Sequence, residues 1–292
     1  MISVKAATRS ARRRGIVVAV LAITGLLIAG SQVSSAHAAT VRPARAAATT
    51  RTSGPKPTIV LVHGAWADSG SWNAVTALLQ SAGYTVYAPP NPLQGLAIDT
   101  ATLADFLQHT VTGPIVLVGH SYGGEVITNA ATGDSQVKAL VYDDAYLPAQ
   151  GEDLADLTTA GSCFAVADLS TVFNFVPDPV SPSGAVAYVK QSVFPGCFTN
   201  GLPAREGAAL AATQRPLASS TFTDPSGVPA WKTIPSWDVI GLNDHVVTPA
   251  EQLFMAKRAG AHITEISAPH LSMISNPGVV ASVIIQAAQA TS

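Results

Sequence analysis

Short hydrophobic runs alternate along this chain with segments whose apolar residues recur every three or four positions. The short runs are typical of buried β-strands, and the periodic segments predict amphipathic α-helices. Such an alternation predicts a mostly parallel sheet with helices on both faces. The predicted strands are residues 58–62, 84–90, 115–119, 137–142, 236–241 and 262–267. The predicted helices are residues 71–83, 96–111, a segment ending near residue 131, 249–259 and 277–290.

The alternation fails between about residue 143 and residue 233, where prolines are frequent and only short helical pieces are expected. A structureless loop of this length is improbable inside a compact domain. We therefore expect an inserted lid at about residues 147–233, within a single folded domain at residues 58–292.

The first 57 residues have a different character. Three arginines at residues 12–14 precede an apolar run at 16–29, and small residues follow up to Ala38. This order is typical of a secretory signal peptide, so we expect cleavage after Ala38 by way of general secretion or twin-arginine export. An uncleaved membrane anchor is the alternative, although the run is shorter than the roughly 20 residues that span a bilayer. Residues 39–57 lack apolar periodicity and predict a disordered spacer.

Composition and charge limit the kinds of partner that this chain is expected to bind. Hydrophobic residues make up 48% of the 292 and charged residues 12%, with a formal net charge of −2, which fits a globular chain. Basic residues are scarce after residue 51, so we expect neither a nucleic-acid partner nor membrane insertion once the signal is removed. Cys163 and Cys197 would be exported to oxidising surroundings, where a disulfide is favoured over two buried thiols.

One serine lies where a buried strand meets a helix. The stretch "GHSYG", residues 119–123, places Ser121 between glycines directly after the strand at 115–119. A GxSxG sequence in this context is typical of a nucleophile elbow, in which the chain turns sharply and lifts the seryl oxygen above the sheet edge. The alternative is a tight turn with a capping serine. We interpret Ser121 as a nucleophile.

A serine nucleophile needs a base and an acid that orients the base, and in this arrangement they follow it in chain order as acid, then histidine. Among the seven histidines, His270 follows the last predicted strand and is the expected base. Asp244 follows the preceding strand and is the expected acid. Asp143 and Asp144 also follow a strand and are competing candidates for the acid.

Negative charge that develops on the substrate oxygen requires preset donors. The backbone amide of Tyr122 is one candidate, and the amide of Ala65 in the "HGAW" loop is the other. His63 is expected to brace that loop by hydrogen bonding. Trp66 and Tyr146 are candidate substrate-binding residues, although aromatic side chains here are equally consistent with core packing.

The sequence contains no pattern that indicates a cofactor. It has no HExxH or paired CxxC spacing, and neither GxGxxG nor GxxxxGK[ST] occurs. We therefore expect neither a metal ion nor a nucleotide cofactor.

The motifs "LVHGAW", "VGHSYGG", "GLNDHVVTP" and "APHLSMISNP" together resemble the α/β-hydrolase superfamily, from residue 58 to the C-terminus. The resemblance is nearest to the small esterase branch of plant methylesterases, hydroxynitrile lyases and pyrethroid-hydrolase-like carboxylesterases. It implies a three-layer α/β fold with the catalytic triad Ser121, Asp244 and His270, and with oxyanion amides from Ala65 and Tyr122. The family's first two strands have no counterpart before residue 58, so the sheet should have six strands.

Two departures bear on the reaction. The related lyases carry a lysine directly after the catalytic histidine and a threonine in the oxyanion loop, whereas this chain has Leu271 and Gly64. The chain is therefore expected to be a secreted, cofactor-free serine hydrolase that cleaves a small, uncharged ester through an acyl-enzyme. A hydroxynitrile lyase, a cofactor-free perhydrolase and a catalytically silent binding module are the alternatives.

Overall fold

The computed structural model describes residues 55–291 of the chain. The predicted signal peptide at residues 1–38 lies outside the described residues, as does the predicted spacer up to residue 54. Near the end of that spacer, Lys56 Nζ donates a hydrogen bond to the backbone oxygen of Ala82 at 2.6 Å. No helix between residues 55 and 291 is long and apolar enough to cross a membrane.

The described chain contains nine strands and eight α-helices. In chain order the strands are β1 (Thr58–Val62), β2 (Val86–Tyr87), β3 (Ile115–His120), β4 (Val137–Asp143), β5 (Phe173–Pro177), β6 (Ala185–Val189), β7 (Leu217–Ala218), β8 (Ser236–Gly241) and β9 (His262–Ile266). The helices are α1 (Asn73–Ser81), α2 (Leu96–Thr110), α3 (Tyr122–Ala130), α4 (Phe194–Cys197), α5 (Ala204–Thr213), α6 (Pro249–Ala259), α7 (Ser272–Ser275) and α8 (Pro277–Ala290).

Six strands form the main sheet, in the order β2-β1-β3-β4-β8-β9, and every neighbouring pair is parallel. Helices α1 and α8 pack against each other on one face, and α2, α3 and α6 cover the other. Every residue of β3 and β8 is buried, because both faces of these strands lie under helices. The structure thus confirms the predicted three-layer α/β fold with a six-stranded parallel sheet.

The segment between β4 and β8 differs from the prediction. Only short helical pieces were expected there, but β5, β6 and β7 form a three-stranded antiparallel sheet, accompanied by α4 and α5. The connection between β5 and β6 contains "DPVSPSG", whose prolines suggest irregular chain, and Gly184 closes it with a positive φ of 72°. Four of the five β5 residues are exposed, so this edge strand lacks the apolar pattern of a buried strand.

The predicted disulfide is present within this segment. Cys163 and Cys197 are bridged, with their Cα atoms 5.8 Å apart, although 34 residues separate them along the chain. The bridge joins the loop before β5 to the end of α4, at the edge of the main sheet where β8 ends.

Candidate active site

Ser121 lies at the turn between β3 and α3, with φ 52° and ψ −125°. A non-glycine residue in this region of backbone space costs about 1–3 kcal/mol, and such residues cluster at functional sites. The turn leaves no room for side chains on its flanks: a Cβ at Gly123 would lie 2.6 Å from the backbone oxygen of Val62, and one at Gly119 would overlap the backbone of Gly123. These glycines allow α3 to start directly behind the serine.

The side chains of Ser121, His270 and Asp244 form a hydrogen-bonded chain. His270 Nε2 lies 3.1 Å from Ser121 Oγ, and His270 Nδ1 lies 2.8 Å from Asp244 Oδ2. Each residue follows a different parallel strand, namely β3, β8 or β9, and the carboxyl ends of these strands meet at one edge of the sheet. The structure therefore brings the three predicted residues together, and all three are buried.

The carboxylate of Asp244 is fully hydrogen-bonded. Its Oδ1 accepts from the amides of Val246 at 2.7 Å and Val247 at 3.2 Å, and its Oδ2 accepts from Gln252 Nε2 at 2.8 Å as well as from His270. The buried Gln252 amide also donates to the backbone oxygen of Val247 at 2.7 Å. Sequence reasoning missed Gln252, because its only signal was its place in the first turns of α6, eight residues after Asp244.

Between residues 55 and 291, the competing aspartates form their hydrogen bonds with partners other than His270. Asp144 Oδ1 accepts from the amide of Gly241 at 2.7 Å, and its Oδ2 accepts from the amide of Ser272 at 3.1 Å. Asp143 Oδ1 accepts from Ser272 Oγ at 2.6 Å. Both carboxyls therefore brace the chain two residues beyond His270.

Burial favours the neutral form of both aspartates. It raises the pKa of Asp143 to about 7, with the Ser272 hydrogen bond opposing the shift and the Asp244 charge adding to it. The pKa of Asp144 is raised well above its usual value, first by burial and then by the charges of Asp143 and Asp244. The hydrogen bonds from Ser272 and Gly241 oppose this effect, since they stabilise the ionised carboxylates.

The loop after β1 reaches the serine from the other side. A Cβ at Gly64 would lie 2.7 Å from the Cβ of Ser121, so only glycine permits this approach. Ala65, the next residue, and Tyr122, whose backbone amides are the predicted oxyanion donors, both line the same cavity as Ser121. In the part of the chain that the structure describes, neither amide donates a hydrogen bond to another protein group.

His63 holds this loop through hydrogen bonds on both ring nitrogens. Nδ1 donates to the backbone oxygen of Gly64 at 2.9 Å, while Nε2 accepts from the amide of Asn91 at 2.9 Å. Burial lowers the pKa of His63 to about 4, so the ring is neutral at neutral pH, as this acceptor role requires. Arg215 Nη1, from the segment between β4 and β8, donates to the backbone oxygen of Asn91 at 2.9 Å.

A second buried histidine supports the His270 backbone. His120 Nε2 donates to the backbone oxygen of His270 at 2.9 Å, and the two rings lie 4.8 Å apart. Burial, followed by the neighbouring His270, lowers the pKa of His120 well below its usual value. The sequence did not predict this contact, because the two residues are distant along the chain.

Ser121 opens into a cavity of about 520 Å³. Both predicted substrate-binding residues border it: Trp66 stacks on Phe173 with ring centroids 5.3 Å apart, and the Tyr146 hydroxyl lies 3.2 Å from Thr158 Oγ1. The Tyr122 hydroxyl instead donates to Asp99 at 2.7 Å. The residues that line the cavity include no Asp, Glu, Lys, Arg or His; they are Ala65, Trp66, Ser121, Tyr122, Tyr146, Leu154, Ala155, Thr158, Phe164, Ala165, Val166, Ala167, Leu169, Phe173, Leu217, Phe222 and Val246.

Side chains that could serve as metal ligands are not grouped in a suitable way. Between residues 55 and 291, no cluster of three or more His, Cys, Asp or Glu side chains is arranged to hold a metal ion.

Comparison with solved structures places this geometry in a known fold. An extracellular alpha/beta-hydrolase from a Paenibacillus species superposes with a TM-score of 0.66 at 20% identity, over 79% of this chain and 98% of that one. A pyrethroid hydrolase from Sphingobium faniae JZ-2 gives 0.64 at 24% identity, over 80% and 98%. Tomato methylketone synthase I gives 0.67 at 18% identity, over 82% and 100%. At these identities the likeness establishes the fold alone.

Sequence comparison adds a relative and a family. A carbendazim-hydrolyzing esterase from Nocardioides sp. (strain SG-4G) is 34% identical over 110 residues, which are 34% of this chain and 46% of that protein. The match thus spans less than half of that relative's length. The model of the alpha/beta hydrolase family matches residues 59–283, which is most of the chain. On this match and on its fold, the chain belongs to the alpha/beta hydrolase family.

Proposed function

We propose that this protein is a secreted serine hydrolase that cleaves carboxylic esters through an acyl-enzyme. The observation that carries the proposal is the hydrogen-bonded chain from Asp244 through His270 to Ser121, which ends at the wall of a largely apolar cavity. The family membership and the esterase named among the relatives support hydrolysis of an ester.

In the acylation step, Ser121 Oγ attacks the ester carbonyl carbon while His270 Nε2 accepts the seryl proton. The carbonyl oxygen becomes an oxyanion, which accepts hydrogen bonds from the amides of Ala65 and Tyr122. Collapse of the tetrahedral intermediate breaks the bond to the alcohol oxygen, and His270 passes its proton to that oxygen. The alcohol leaves, and the acyl group stays on Ser121.

Deacylation repeats these steps with water. His270 Nε2 accepts a proton from water as the water oxygen attacks the acyl carbon, and the same two amides hold the oxyanion. The proton then returns to Ser121 Oγ, which releases the carboxylic acid. Asp244 keeps Nδ1 of His270 protonated, so that Nε2 is the basic nitrogen in both steps.

The lining of the cavity indicates a neutral substrate. No ionisable side chain other than two tyrosines borders it, so a charged acyl group would be desolvated without a partner. Trp66, Phe164, Phe173 and Phe222 supply aromatic surface, which suits a small apolar or aromatic ester. The segment at about residues 147–233 contributes most of this lining and would act as the lid.

Secretion is part of the proposal. The disulfide between Cys163 and Cys197 suits an oxidising compartment, and one structural neighbour is described as extracellular. The signal-peptide pattern at residues 1–38 supports the same conclusion.

The lyase alternative finds less support. The residue after His270 is Leu271, which is buried and supplies no cation for a cyanide leaving group. Threonine in place of Gly64 would collide with Ser121 and with the backbone oxygen of His120. Both positions therefore favour hydrolysis over cyanohydrin cleavage.

A panel of p-nitrophenyl esters with increasing acyl length tests the proposal. We expect turnover of neutral esters, and we expect Ser121→Ala to lower kcat by about 10³-fold or more with an unchanged melting temperature. An ester with a terminal carboxylate of matched length should react much more slowly. Cleavage of a cyanohydrin without ester turnover would contradict the proposal, and so would full activity of Ser121→Ala; inertness toward every ester would favour a binding module.

A further inference from the structure

Two segments of the insertion between β4 and β8 contact the loop at residues 243–247, which carries Asp244. The first segment is residues 162–163, and the second is residues 196–201. Ser162 Oγ donates to the backbone oxygen of Val246 at 2.7 Å, and the amide of Cys163 donates to the backbone oxygen of His245 at 2.8 Å. Both acceptors belong to the stretch whose amides, at Val246 and Val247, orient the Asp244 carboxylate. A shift of this segment would therefore move the donors that hold the acid.

The second segment contacts the same loop around His245. His245 Nδ1 lies 3.2 Å from the backbone oxygen of Gly196, to which it donates, and Asn200 Nδ2 donates to the backbone oxygen of Asn243 at 2.7 Å. Gly196 is the residue before Cys197. The loop at residues 243–247 thus receives hydrogen bonds from both segments.

The second segment also reaches the base. The Phe198 ring packs edge-on against the His270 ring, with centroids 5.1 Å apart. Gly201 lies against Pro269, the residue before His270, since a Cβ there would be 3.4 Å from the proline ring. One short stretch of chain therefore touches both the acid loop and the base.

The disulfide connects these two segments at the points of contact. Cys163 itself donates to the acid loop, and Cys197 lies between Gly196 and Phe198. With the bridge intact, neither segment can move away without pulling on the other. We propose that the Cys163–Cys197 bridge is a positioning element of the active site, which holds the Asp244 loop and the His270 ring in their relative places. The catalytic meaning of this inference rests on the proposed function.

A bridge that served only the fold would act mainly by restricting the unfolded chain, and the native acid loop would be unaltered by its loss. The two roles predict different local behaviour in the native protein. Amide hydrogen exchange at residues 243–247 separates them and requires no ester turnover, because it reports opening of the loop directly.

We expect the double variant Cys163→Ala/Cys197→Ala to exchange its amides at residues 243–247 faster than the wild type, by a factor at least ten times larger than any change in β3 and β4. Exchange in the loop that is unchanged, or that rises only in step with β3 and β4, would overturn the proposal even if the chain proves to hydrolyse no ester. Should the double variant not fold, the wild type is treated with dithiothreitol, whose two thiols supply two electrons and two protons and become a disulfide, leaving Cys163 and Cys197 as thiols. The same exchange criterion then applies.

Steady-state kinetics provide a second test of the positioning role. The double variant should lose at least tenfold in kcat with KM within about twofold, whereas in an Asp244→Asn background the same change should cost clearly less, because the part of the effect that passes through the acid is already lost. Equal losses in both backgrounds, or a change confined to KM, would contradict the positioning role. Thr132→Val is the matched control, since it removes a hydrogen bond to Val228 that joins the same insertion to the core away from the acid loop; its kcat should be unchanged.

Discussion

Of the three aspartates that are candidates for the acid, Asp244 and Asp144 are distinguished by their hydrogen bonds. Asp244 accepts from His270 Nδ1, while the oxygens of Asp144 accept from the backbone amides of Gly241 and Ser272. The Asp244 carboxylate thus fixes the tautomer of His270, whereas the Asp144 carboxyl links the backbone at Gly241 to the backbone at Ser272. Replacing an aspartate by asparagine, which removes the charge and adds an NH₂ donor, should therefore have different consequences at the two positions.

We expect Asp244→Asn to lower kcat by about 10³–10⁴-fold with little loss of stability, because an amide facing His270 would favour the wrong tautomer. Asp144→Asn is the matched control: it should reduce the melting temperature, since an NH₂ group would face the Ser272 amide, but should cost less than tenfold in kcat. Steady-state kinetics and thermal unfolding of both variants measure the two effects. A harmless Asp244→Asn beside an inactive, folded Asp144→Asn would reverse the assignment.

At the scale of residues, the sequence predicted the chain of Ser121, His270 and Asp244, because each lies in a motif after a strand and chain order left few candidates. It did not predict Gln252 or the support from His120, since hydrogen bonds between distant segments leave no local pattern. Nor did it predict that Glu125, in the first turn of α3, is fully buried, where burial raises its pKa well above the usual value.

Among the elements, α3 is the one whose position sets the site. It approaches β1 so closely that Gly123 lies against the backbone oxygens of Val62 and His63, at 2.6 and 3.0 Å from a Cβ built there. Neither oxygen belongs to a flexible side chain, so the helix itself would have to move to admit a methyl group. Such a movement would displace the amide of Tyr122.

Gly123→Ala should therefore destabilise the protein by about 1–3 kcal/mol, as overpacking does, and should also reduce ester turnover. The control is Gly278→Ala in α8, where a Cβ would meet nothing within 4 Å; its stability should change by less than about 0.5 kcal/mol. Denaturant unfolding of the two variants provides the comparison. Equal stability of both would show that α3 does not pack as closely as described.

The elements of the parallel sheet were predictable, because strands buried on both faces are continuous apolar runs and the helices between them have a clear period. The small sheet of β5, β6 and β7 was not. Its edge strand is mostly exposed, β7 has only two residues, and β6 pairs with β7 across a long stretch of chain that contains α4 and α5. Nothing in the local pattern distinguishes such strands from irregular chain.

In the molecule as a whole, the site is divided between two parts of the chain. The parallel sheet supplies Ser121, Asp244, His270 and the two amides, whereas the segment between β4 and β8 supplies most of the cavity lining. Ser121 borders the cavity, while His270 is fully buried beside it. Substrates should therefore reach the reacting groups through the apolar cavity. The residues supplied by the parallel sheet would determine the reaction, and the lining supplied by the insertion would determine which substrates are preferred.

The central claim is that Ser121 is a nucleophile activated by His270. Reaction with a fluorophosphonate probe, followed by peptide mass spectrometry, tests this claim most directly because the probe forms a covalent bond only with an activated serine. The account predicts one adduct per chain on the peptide that contains Ser121, none in Ser121→Ala, and labelling slowed by about 10³-fold or more in folded His270→Ala. An unlabelled wild-type protein, or a probe attached to a different serine, would contradict it.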